Sequence, residues 1–540
     1  MIKVVIERFK ELTSTQLILL TTIFLMVFLN ASFFSNVLAV YPLADHNFLF
    51  IVSLSVVFYS ITVLLFSLIC FRHTIKPVLI LILLVSSATG YFMDTYNVVI
   101  DDAMIDNTMK TDFSEASDLL SFRLILYIVF LGLLPSVYIY KVKIKYRGFK
   151  QELFSRLKLI SASLVMFIGL ILLSNNYYAS FFREHKILRY YSNPSYYVYS
   201  VGKYVAVFFE SGMIEVKVIG EDAAIPPSDE HRELIVLVLG ETARADRFEL
   251  NGYGKATNPL LKKEKVFSFS NVWACGTSTA TSVPCMFSIH RASDYSKSKA
   301  LSTENSLDVL QHAGVNVLWL DNNSDSKGVA LRVPHESYKT TDHNPVCDVE
   351  CRDEGMLANL QAYIDKHPVG DIFIILHQMG NHGPAYYKRY PQQFEKFTPV
   401  CKTNQLESCS DEEINNAYDN AILYTDYFLS KTIALLKSND DKFEAGMLYI
   451  SDHGESLGEG GLYLHGLPNL FAPDEQKHVP MIMWFSDSFD HDELDYKKLE
   501  EDRNRKFSHD NLFHTILGLM EIETSVYDKS MDIIEHKHEH

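Results

Sequence analysis

A segment rich in hydroxyl side chains lies between two cysteines, Cys275 and Cys285, directly after an apolar run from Val266 to Val272. A strand that leads through a polar turn into a helix often carries a nucleophile. The free N–H groups of a helix N-terminus stabilise an alkoxide and bind phosphate. The alternative is an exposed loop without chemistry. The candidate nucleophiles in this segment are Thr277, Ser278, Thr279, Thr281 and Ser282.

Side chains that could act in catalysis or bind a metal also follow other apolar runs, which have the length of buried strands. They are Glu241 after residues 234–239, Asn323 and Lys327 after 315–320, His377 and His382 after 371–376, and Asp452 and His453 after 447–450. The carboxyl ends of parallel strands meet at one edge of a sheet, where α/β proteins bind ligands. A single histidine at a strand end usually has a structural role. An adjacent Asp-His pair, with a glutamate at another strand end, is typical of a metal site.

The ligand types of this predicted site indicate its metal and its chemistry. Carboxylate and imidazole ligands without a free thiolate suit Zn²⁺ or Mn²⁺. A Zn²⁺ ion would lower the pKa of a coordinated threonine hydroxyl and offset charge on a phosphoryl group. A lysine within reach, such as Lys327, would balance the other phosphate oxygens. The composition therefore predicts phosphoryl-type transfer through a covalent threonine intermediate.

The C-terminal part must position these residues. From Glu233 onwards, strand-like runs alternate with helical patterns, which predicts an α/β domain with a mostly parallel sheet. The run 234–239 is almost continuously apolar, as in a central strand that is buried on both faces. Further elements are predicted as strands at Val266–Val272 and Val479–Phe485 and as helices at Ser302–His312, Ala417–Lys437 and Ser508–Met520.

The N-terminal third contains five charge-free apolar stretches, Leu12–Leu43, Phe48–Phe71, Pro77–Met93, Leu124–Tyr140 and Leu159–Phe182. A membrane span needs roughly 20 apolar residues, with about 17 as the lower limit, and every stretch reaches it. The first stretch could also be a signal peptide, but it is long for one, lacks a clear cleavage site and precedes further apolar stretches. The sequence therefore predicts a five-helix transmembrane domain in residues 1–182.

Loop charges and cysteine spacing place the C-terminal part outside the cytoplasm. The loops at 72–76 and 141–158 are basic, and short basic loops stay in the cytoplasm. The loop 94–120 is acidic, which places it on the outer side together with everything after residue 183. Six of the seven cysteines form three close pairs without zinc-knuckle spacing, and local disulfides are typical of an oxidising compartment. The net charge of −17 argues against a nucleic-acid partner.

Two segments outside the predicted spans have their own patterns. Within the outer loop, Asp101–Asp118 is predicted as one short helix with Asn107, Thr111 and Glu115 on one face, because they recur every four residues. That face is either a solvated surface or a polar surface for a lipid head group or the catalytic domain. Residues 183–231 are predicted to form tyrosine-rich interfacial helices followed by an acidic, proline-containing linker.

The strand-end motifs, taken together, resemble those of the lipid A-modifying phosphoethanolamine transferases. The motifs are Gly240–Arg244, Cys275–Ala280, Ser282–Ser288, Asp321–Gly328, His377–Pro384 and Ser451–Glu459. This family includes the mobile colistin-resistance enzymes, and its catalytic domain belongs to the alkaline phosphatase and sulfatase superfamily. The predicted membrane domain with its acidic outer loop matches as well, so the resemblance covers essentially the whole chain.

The resemblance implies roles for individual residues in the catalytic site. The ligands of the catalytic zinc would be Glu241, Thr279, Asp452 and His453. Thr279 would also be the nucleophile that carries phosphoethanolamine. The residues that bind the substrate phosphate, or a second zinc ion, would be Thr277, Asn323, Lys327, His382 and His465. Either of these two histidines would also be placed to protonate a leaving group.

The resemblance extends to the outer loop and the cysteines. Head-group binding would fall to Asn107, Thr111 and Glu115. The disulfides would be Cys275–Cys285, Cys347–Cys351 and Cys401–Cys409, with Cys70 free. The implied fold is a five-helix transmembrane domain followed by an alkaline phosphatase-like α/β/α sandwich at residues 232–540, with a mostly parallel sheet.

The implied activity is zinc-dependent transfer of phosphoethanolamine from phosphatidylethanolamine to a lipid A phosphate, with release of diacylglycerol. One zinc ion would be held tightly, and the site would have room for a second. The implied enzyme is a monomer that crosses the bacterial inner membrane several times, contacts membrane lipids and holds its catalytic domain in the periplasm. The added amine lowers the negative charge of lipid A and should weaken the binding of polymyxins.

Three alternatives remain at the level of the sequence. The first keeps the chemistry and changes the acceptor to a lipopolysaccharide core sugar, a glycan or a protein. The second is a membrane phosphoglycerol transferase or sulfatase. A sulfatase is disfavoured because its motif places an arginine two residues after the proline, and Met286 follows Pro284 at that distance here. The third is a zinc-binding membrane sensor without catalysis, which the nucleophile and phosphate motifs disfavour.

Overall fold

The computed structural model describes residues 11–43, 47–110, 113–174, 177–178, 181–182, 185–210, 216–227, 231–489 and 494–534. The chain divides into two units. The first consists of Met1–Ile105 and Leu120–Ala206, and the second of Asp106–Leu119 and Val207–His540. The segment Asp106–Leu119, which lies between two apolar helices in the sequence, therefore belongs to the same unit as the C-terminal domain.

The N-terminal part of the chain is helical. In chain order its helices are α1 (Ser14–Phe28), α2 (Ala31–Val40), α3 (Phe48–Ile69), α4 (Ile75–Tyr96), α5 (Asp102–Lys110), α6 (Phe113–Asp118), α7 (Phe122–Lys141, with π-helical turns at Ile128–Leu133) and α8 (Phe149–Leu173). Among the described residues, α3, α4, α7 and α8 are long and apolar enough to cross a membrane. The bent pair of helices α1 and α2 forms a fifth span only if the two helices cross the membrane together as one segment.

The single continuous helix predicted over Leu12–Leu43 is wrong, because the chain bends by 60° between α1 and α2. The buried residue Asn30 lies at this bend. Its Nδ2 donates hydrogen bonds to the carbonyl oxygens of Leu25 (2.9 Å) and Asn193 (2.7 Å). Asparagine side chains compete with helical backbone hydrogen bonds and favour breaks and caps. A buried asparagine within an apolar stretch therefore explains the bend.

The last predicted span, Leu159–Phe182, is shifted towards the N-terminus, because α8 begins at Phe149 and ends at Leu173. The charged residues that precede the apolar stretch do not stop the helix, since Lys, Arg and Glu are good helix formers. Glu152 lies in the first turn, where a negative charge suits the helix dipole, and it accepts a hydrogen bond from Ser14.

Helical residues lie on both sides of residues 111–112 in the outer loop, so the single helix predicted over Asp101–Asp118 stays a prediction across that gap. α5 ends at Lys110 and α6 begins at Phe113. Thr111 and the residue after it lie outside the described residues. Asn107 belongs to α5 and Glu115 to α6.

A 3₁₀ turn at Lys186–Tyr191 and helix α9 (Ser195–Glu210) follow the apolar helices. This region corresponds to the tyrosine-rich segment of the sequence. Its position at a membrane interface stays a prediction, as do the domain boundaries at 182 and 231.

An eight-stranded sheet forms the centre of the second unit. Its strands are β1 (Glu233–Gly240), β2 (Phe267–Trp273), β3 (Asn316–Asp321), β4 (His335–Ser337), β5 (Ile372–His377), β6 (Glu444–Ser451), β7 (His478–Phe485) and β8 (Phe507–Ser508). The spatial order is β8-β2-β7-β6-β1-β5-β3-β4. All neighbouring strands are parallel except β7, which is antiparallel to β2 and to β6. The predicted mostly parallel sheet is confirmed.

Helices cover both faces of this sheet. They are α10 (Thr279–Met286), α11 (Lys297–Leu301), α12 (Ser306–His312), α13 (Leu360–Lys366), α14 (Asp411–Lys437), α15 (Tyr496–Glu501) and α16 (Leu512–Leu519). Every residue of β1 is buried. Its alternate side chains enter two separate apolar clusters, one with α10, α12 and α16 and the other with α13 and α14. Burial of each large aliphatic side chain contributes about 1.5–3 kcal/mol, so both faces hold the sheet in place.

Three predicted helices in this unit have different bounds. The helix predicted over Ser302–His312 begins later, at Ser306 in α12, because Asn305 caps α12 by accepting a hydrogen bond from the N–H of Leu307. α14 begins before the predicted Ala417, since Ser410 forms a capping box with Glu413. The stretch Ser508–Met520 begins with a 3₁₀ turn before α16.

Three disulfides join Cys275–Cys285, Cys347–Cys351 and Cys401–Cys409, and Cys70 is buried and free. The pairing implied by the family resemblance is confirmed.

Candidate metal and nucleophile site

The central parallel strands bring the candidate metal ligands together. β1 and β6 are neighbours, and Gly240 pairs in register with Ser451. The next residues along the chain, Glu241 and Asp452, therefore leave the sheet side by side. His453 follows Asp452 directly. The register of two buried strands thus fixes the positions of three polar side chains.

Glu241, Asp452 and His453 form a fully buried cluster whose potential ligand atoms all lie within 4.8 Å of one another. The Nδ1 of His453 donates to the carbonyl oxygen of Gly454 (2.8 Å). This hydrogen bond leaves Nε2 facing the carboxylates, 3.4 Å from Glu241 Oε1 and 3.3 Å from Asp452 Oδ2. A hydrogen bond from the far ring nitrogen is the usual way in which proteins orient a metal-binding histidine.

The atoms of this cluster fit a zinc ion. Asp452 Oδ1 accepts hydrogen bonds from the backbone N–H groups of Thr242 (3.1 Å) and His453 (2.7 Å). Asp452 Oδ2 is buried and has no hydrogen-bond partner among the described residues. A buried carboxylate oxygen without a partner is costly, and a cation at this position would satisfy it. Two carboxylates, one imidazole and a hydroxyl make a set of four donors of the types that Zn²⁺ binds in proteins.

The close packing of these groups changes their pKa values in opposite directions. Burial alone would raise the pKa of Glu241, but His453 outweighs burial and holds it well below its usual value. Burial and the charge of Glu241 raise the pKa of Asp452. Burial would lower the pKa of His453, but Asp452 and Glu241 raise it. The cluster therefore carries concentrated negative charge that a cation or a proton must balance.

Thr279 is the first residue of α10, and its hydroxyl reaches this cluster. Its Oγ1 donates to Glu241 Oε2 (3.1 Å) and lies 3.4 Å from His453 Nε2. Ser278 precedes it in an extended conformation, so the chain turns from the strand side into the helix at this point. The hydroxyl therefore lies both beside the candidate metal ligands and at a helix N-terminus.

The other four candidate hydroxyls have different partners. Thr277 Oγ1 donates to the carbonyl oxygen of Leu467 (2.6 Å), and Ser282 Oγ accepts from the N–H of Gly276 (3.0 Å). Ser278 and Thr281 are hydrogen-bonded to each other (3.3 Å). Among these five side chains, the contacts with Glu241 and His453 belong to Thr279.

Asn323 and Lys327, which follow strand β3, differ in their contacts with the cluster. Asn323 Nδ2 donates to Glu241 Oε2 (2.8 Å) and to the carbonyl oxygen of Gln378 (2.7 Å). Asn323 therefore orients the glutamate. The Nζ of Lys327 is buried and donates to the carbonyl oxygen (2.6 Å) and Oγ (2.5 Å) of Ser324. The ammonium group of Lys327 is thus hydrogen-bonded to a residue of its own loop.

His382 and His465 lie beside the cluster. Their ring centroids are 5.6 Å apart, and the ring of His465 lies 4.4 Å from that of His453. Burial lowers the pKa of both His382 and His465 to about 3, so both rings are neutral at physiological pH. The backbone links the second ring to the nucleophile segment, because the N–H of Gly466 donates to the carbonyl oxygen of Thr277 (2.8 Å).

The head-group residues predicted on the outer loop are only partly described. Asn107 is half-buried in α5, and Glu115 belongs to α6. Thr111 lies outside the described residues. Asn107 and Glu115 belong to the second unit, together with the candidate metal-ligand cluster of Glu241, Asp452 and His453.

The sequence reasoning missed His509 as a positioning residue. Its Nδ1 accepts from the N–H of Cys275 (3.1 Å), and its Nε2 donates to the carbonyl oxygen of Ser451 (3.0 Å). It therefore joins the nucleophile segment to the end of β6. Burial lowers the pKa of His509 to about 3, which keeps the ring neutral and able to accept one hydrogen bond. The sequence signal was a polar start to the last helix, which does not reveal such distant partners.

Gly380 is a second missed position. Its φ is +52°, and an added Cβ would lie 2.8 Å from the carbonyl oxygen and 3.0 Å from the backbone nitrogen of Glu241. Only glycine permits both the conformation and the close approach. Asp353 holds this loop by accepting from the N–H groups of Met379 (2.8 Å) and Gly380 (3.2 Å).

Comparison with known proteins covers both halves of the chain. A family model described as Sulfatase matches residues 233–522, and one described as Phosphoethanolamine transferase EptA/EptB matches residues 58–207. Phosphatidylethanolamine transferase Mcr-2 from Escherichia coli is 44% identical over 515 residues, which cover 93% of this chain and 94% of the relative. Phosphoethanolamine transferase EptA from Escherichia coli strain K12 is 39% identical over 534 residues and covers 96% of each chain.

A solved structure is similar over nearly the whole length. The integral membrane protein lipooligosaccharide phosphoethanolamine transferase A from Neisseria meningitidis matches with a TM-score of 0.94 and 36% identity, covering 98% of this chain and 100% of that one. The match includes both the helical N-terminal part and the α/β domain. The fold, the site and these similarities lead to one conclusion: the chain belongs to the phosphoethanolamine transferase family, within the sulfatase and alkaline phosphatase superfamily, and is a transferase enzyme.

Proposed function

We propose that the protein transfers phosphoethanolamine from phosphatidylethanolamine to a phosphate of lipid A through a phosphoethanolamine-Thr279 intermediate at a zinc site. One observation carries this proposal: Thr279 Oγ1 lies 3.1 Å from Glu241 Oε2 and 3.4 Å from His453 Nε2. The names of similar proteins support the substrates. Mcr-2 is named a phosphatidylethanolamine transferase, and the Neisseria meningitidis protein is named for transfer to lipooligosaccharide.

The zinc ion would be held by Glu241, Asp452, His453 and Thr279. When bound, it lowers the pKa of the threonine hydroxyl and offsets charge on the phosphoryl oxygens. The buried Asp452 Oδ2 without a hydrogen-bond partner supports a cation here. His382 and His465 would provide nitrogen ligands for a second zinc ion, since both rings are neutral and adjacent.

In the first half-reaction, Thr279 Oγ1 attacks the phosphorus atom of phosphatidylethanolamine. A bond forms between this oxygen and phosphorus, and the bond from phosphorus to the diacylglycerol oxygen breaks. The Thr279 hydroxyl loses its proton, and the diacylglycerol oxygen gains one, so diacylglycerol leaves as an alcohol. When no second zinc ion is bound, His382 or His465 would pass on this proton, because their rings lie beside the cluster.

In the second half-reaction, an oxygen of a lipid A phosphate attacks the same phosphorus atom. The bond from phosphorus to Thr279 Oγ1 breaks, and the proton lost by the acceptor phosphate returns to the hydroxyl. Asn323 keeps Glu241 oriented throughout through its 2.8 Å hydrogen bond. Lys327 would exchange its hydrogen bonds with Ser324 for one to an oxygen of the substrate phosphate, and Thr277 would bind the same phosphate.

The proposed location is the bacterial inner membrane, with the catalytic domain in the periplasm and the chain acting as a monomer. The four apolar helices, the basic and acidic loop pattern and the three disulfides support this location. Both substrates are lipids, so an enzyme anchored in the membrane meets them at the surface. Each added amine lowers the negative charge of lipid A, which weakens its attraction for cationic polymyxins.

Mass spectrometry of lipid A from cells that express the wild type, Thr279→Ala or Thr279→Ser tests the proposal. We expect the mass of one phosphoethanolamine group on a lipid A phosphate with the wild type and none with Thr279→Ala. Thr279→Ser keeps a hydroxyl and should keep part of the product. Phosphoethanolamine found on a core sugar would show that the acceptor is that sugar and not a lipid A phosphate. An unchanged product with Thr279→Ala would show that Thr279 is not the nucleophile.

A further inference from the structure

The segment 106–119 is tied to the catalytic domain by ion pairs at both of its ends. Asp106, in α5, forms an ion pair with Lys297, at the start of α11. Asp118, the last residue of α6, forms ion pairs with Lys388 and Arg389. All of these residues belong to the second unit. The part of α5 from Asp106 onwards and the whole of α6 therefore lie on the catalytic domain, and residues 106–119 are called the strap below.

Asp118, one of the two anchors, is buried and forms ion pairs and hydrogen bonds with its neighbours. Its side chain is 7% exposed, and Arg389 Nη2 donates to its Oδ2 (2.6 Å). Its backbone carbonyl oxygen also accepts from Asn404 Nδ2 (2.6 Å). Burial would raise the pKa of Asp118, but Arg389 and Lys388 outweigh burial and hold it below the usual value. The carboxylate is therefore charged at neutral pH and held by two cations, while an amide holds the backbone of the same residue.

Arg389 connects this anchor to the active site. Its guanidinium is 2% exposed and donates from Nε to the carbonyl oxygen of His382 (2.6 Å). The same guanidinium forms an ion pair with Glu350. One side chain thus holds the strap, a neighbouring loop and the backbone of a histidine beside the metal-ligand cluster. The planar fork of arginine is suited to such a junction, because it fixes several donors in one geometry.

Two of the three disulfides stabilise the surface that receives Asp118. Glu350 lies in the loop closed by Cys347–Cys351, and Asn404 lies in the loop closed by Cys401–Cys409. A disulfide that closes a short loop removes conformational freedom from the residues within it. Both disulfides therefore position a partner of the strap or of Arg389.

We propose that Asp106 and Asp118 are positioning residues that hold the strap on the catalytic domain for binding of the lipid donor, and that Arg389 couples this anchor to His382. The inference rests on the proposed function and on the predicted binding of the head group by Asn107, Thr111 and Glu115. A head-group surface fixed in advance binds with a smaller loss of conformational entropy. Because the strap would contact the donor equally before and during reaction, loosening it should raise KM and leave kcat nearly unchanged.

The test uses the full-length enzyme in detergent with phosphatidylethanolamine as donor and an excess of lipid A as acceptor, so that the enzyme turns over. It measures diacylglycerol release together with hydrogen exchange of residues 106–119. For Asp118→Asn we expect KM to rise about tenfold, kcat to change less than about threefold, and exchange in the strap to increase. Asp118→Glu should restore most of the KM. Asp294→Asn is the matched control, because it removes one carboxylate from an exposed ion pair with Lys299 in the same unit, and its KM should equal that of the wild type.

Two further variants distinguish loss of the anchor from a general disturbance of the fold. Lys388→Met combined with Asp118→Asn should raise KM no more than Asp118→Asn alone, because partners in one ion pair are not additive. Arg389→Lys should lower kcat as well as raise KM, since it also loosens His382. An Asp118→Asn enzyme with the KM and strap exchange of the wild type would overturn the inference while leaving the proposed function intact. A wild type that releases no diacylglycerol from phosphatidylethanolamine would overturn both.

Discussion

The metal-ligand cluster and the strap belong to one unit of the protein, and they are held by different forces. The cluster extends from adjacent parallel strands, where the register of Gly240 with Ser451 and burial on both sheet faces fix it. The strap contains the end of α5 and the whole of α6, and ion pairs of Asp106 and Asp118 fix its ends. A sheet that also holds the core cannot shift without unfolding, whereas an ion pair can break locally.

This difference indicates separate roles for the two regions, chemistry for the cluster and donor binding for the strap. The cluster is preorganised for chemistry, so changes there should abolish reaction or metal binding. The strap is attached by a few polar contacts, so changes there should weaken donor binding in a graded way. The predictions below test this division, beginning with the change for which we expect the largest effect.

Thr279→Ala should lower the transfer rate at least about 1,000-fold, because it removes the hydroxyl that would form the covalent intermediate. The rate is measured as diacylglycerol release by the full-length enzyme. Thr281→Ala, which removes a hydroxyl two residues away in the same helix, is the matched control and should retain most of the activity. Equal losses for the two variants would show that the helix, and not one hydroxyl, is the sensitive feature.

Asp452→Asn should weaken zinc binding at least about 100-fold, because it removes a charged ligand from a fully buried cluster. Zinc content measured by atomic emission gives this result without any assay of activity. Added zinc should also raise the melting temperature of the wild type, since binding at 100 times Kd stabilises by about 2.7 kcal/mol. The same zinc concentration should stabilise Asp452→Asn by no more than about 0.4 kcal/mol and so raise its melting temperature far less. A full zinc complement in this variant would place the metal elsewhere.

His509→Gln should lower kcat about tenfold while zinc content stays at the wild-type level. The variant disturbs the hydrogen bonds to Cys275 and Ser451, and each buried group left unpaired costs about 1–3 kcal/mol. The nucleophile segment should therefore shift relative to an intact metal site. Loss of zinc in this variant would mean that His509 supports the cluster itself.

Asp118→Asn gives the smallest expected loss of turnover, with its effect confined to KM and to hydrogen exchange of the strap. Its free energy of unfolding should fall, since burial leaves Arg389 with one fewer anionic partner. A loss of kcat as large as that of His509→Gln would contradict the division between the two regions.

The cluster could be predicted from the sequence because strand ends are local features. Glu241, Asp452 and His453 each follow an apolar run, and parallel strands must end at one edge of the sheet. The nucleophile could not be chosen in this way. Five hydroxyls lie within six consecutive positions, and the start of α10 together with the register of β1 decides which one meets Glu241.

The strap contacts could not be predicted, because Asp118 and Arg389 are 271 residues apart in the sequence. No periodicity connects an acidic residue between two apolar helices with a basic residue after a distant strand. The bend at Asn30 was missed for a related reason. An apolar stretch predicts a helix by composition, and one buried asparagine with a distant carbonyl partner interrupts it.

The central claim is that Thr279 carries phosphoethanolamine. The most direct measurement is peptide mass spectrometry of the full-length enzyme, quenched after incubation with phosphatidylethanolamine in the absence of acceptor. The proposed mechanism predicts the mass of one phosphoethanolamine group on Thr279, absent from Thr279→Ala and lost when lipid A is added. The same group on Ser278 or Thr281, or rapid transfer without any modified residue, would contradict it.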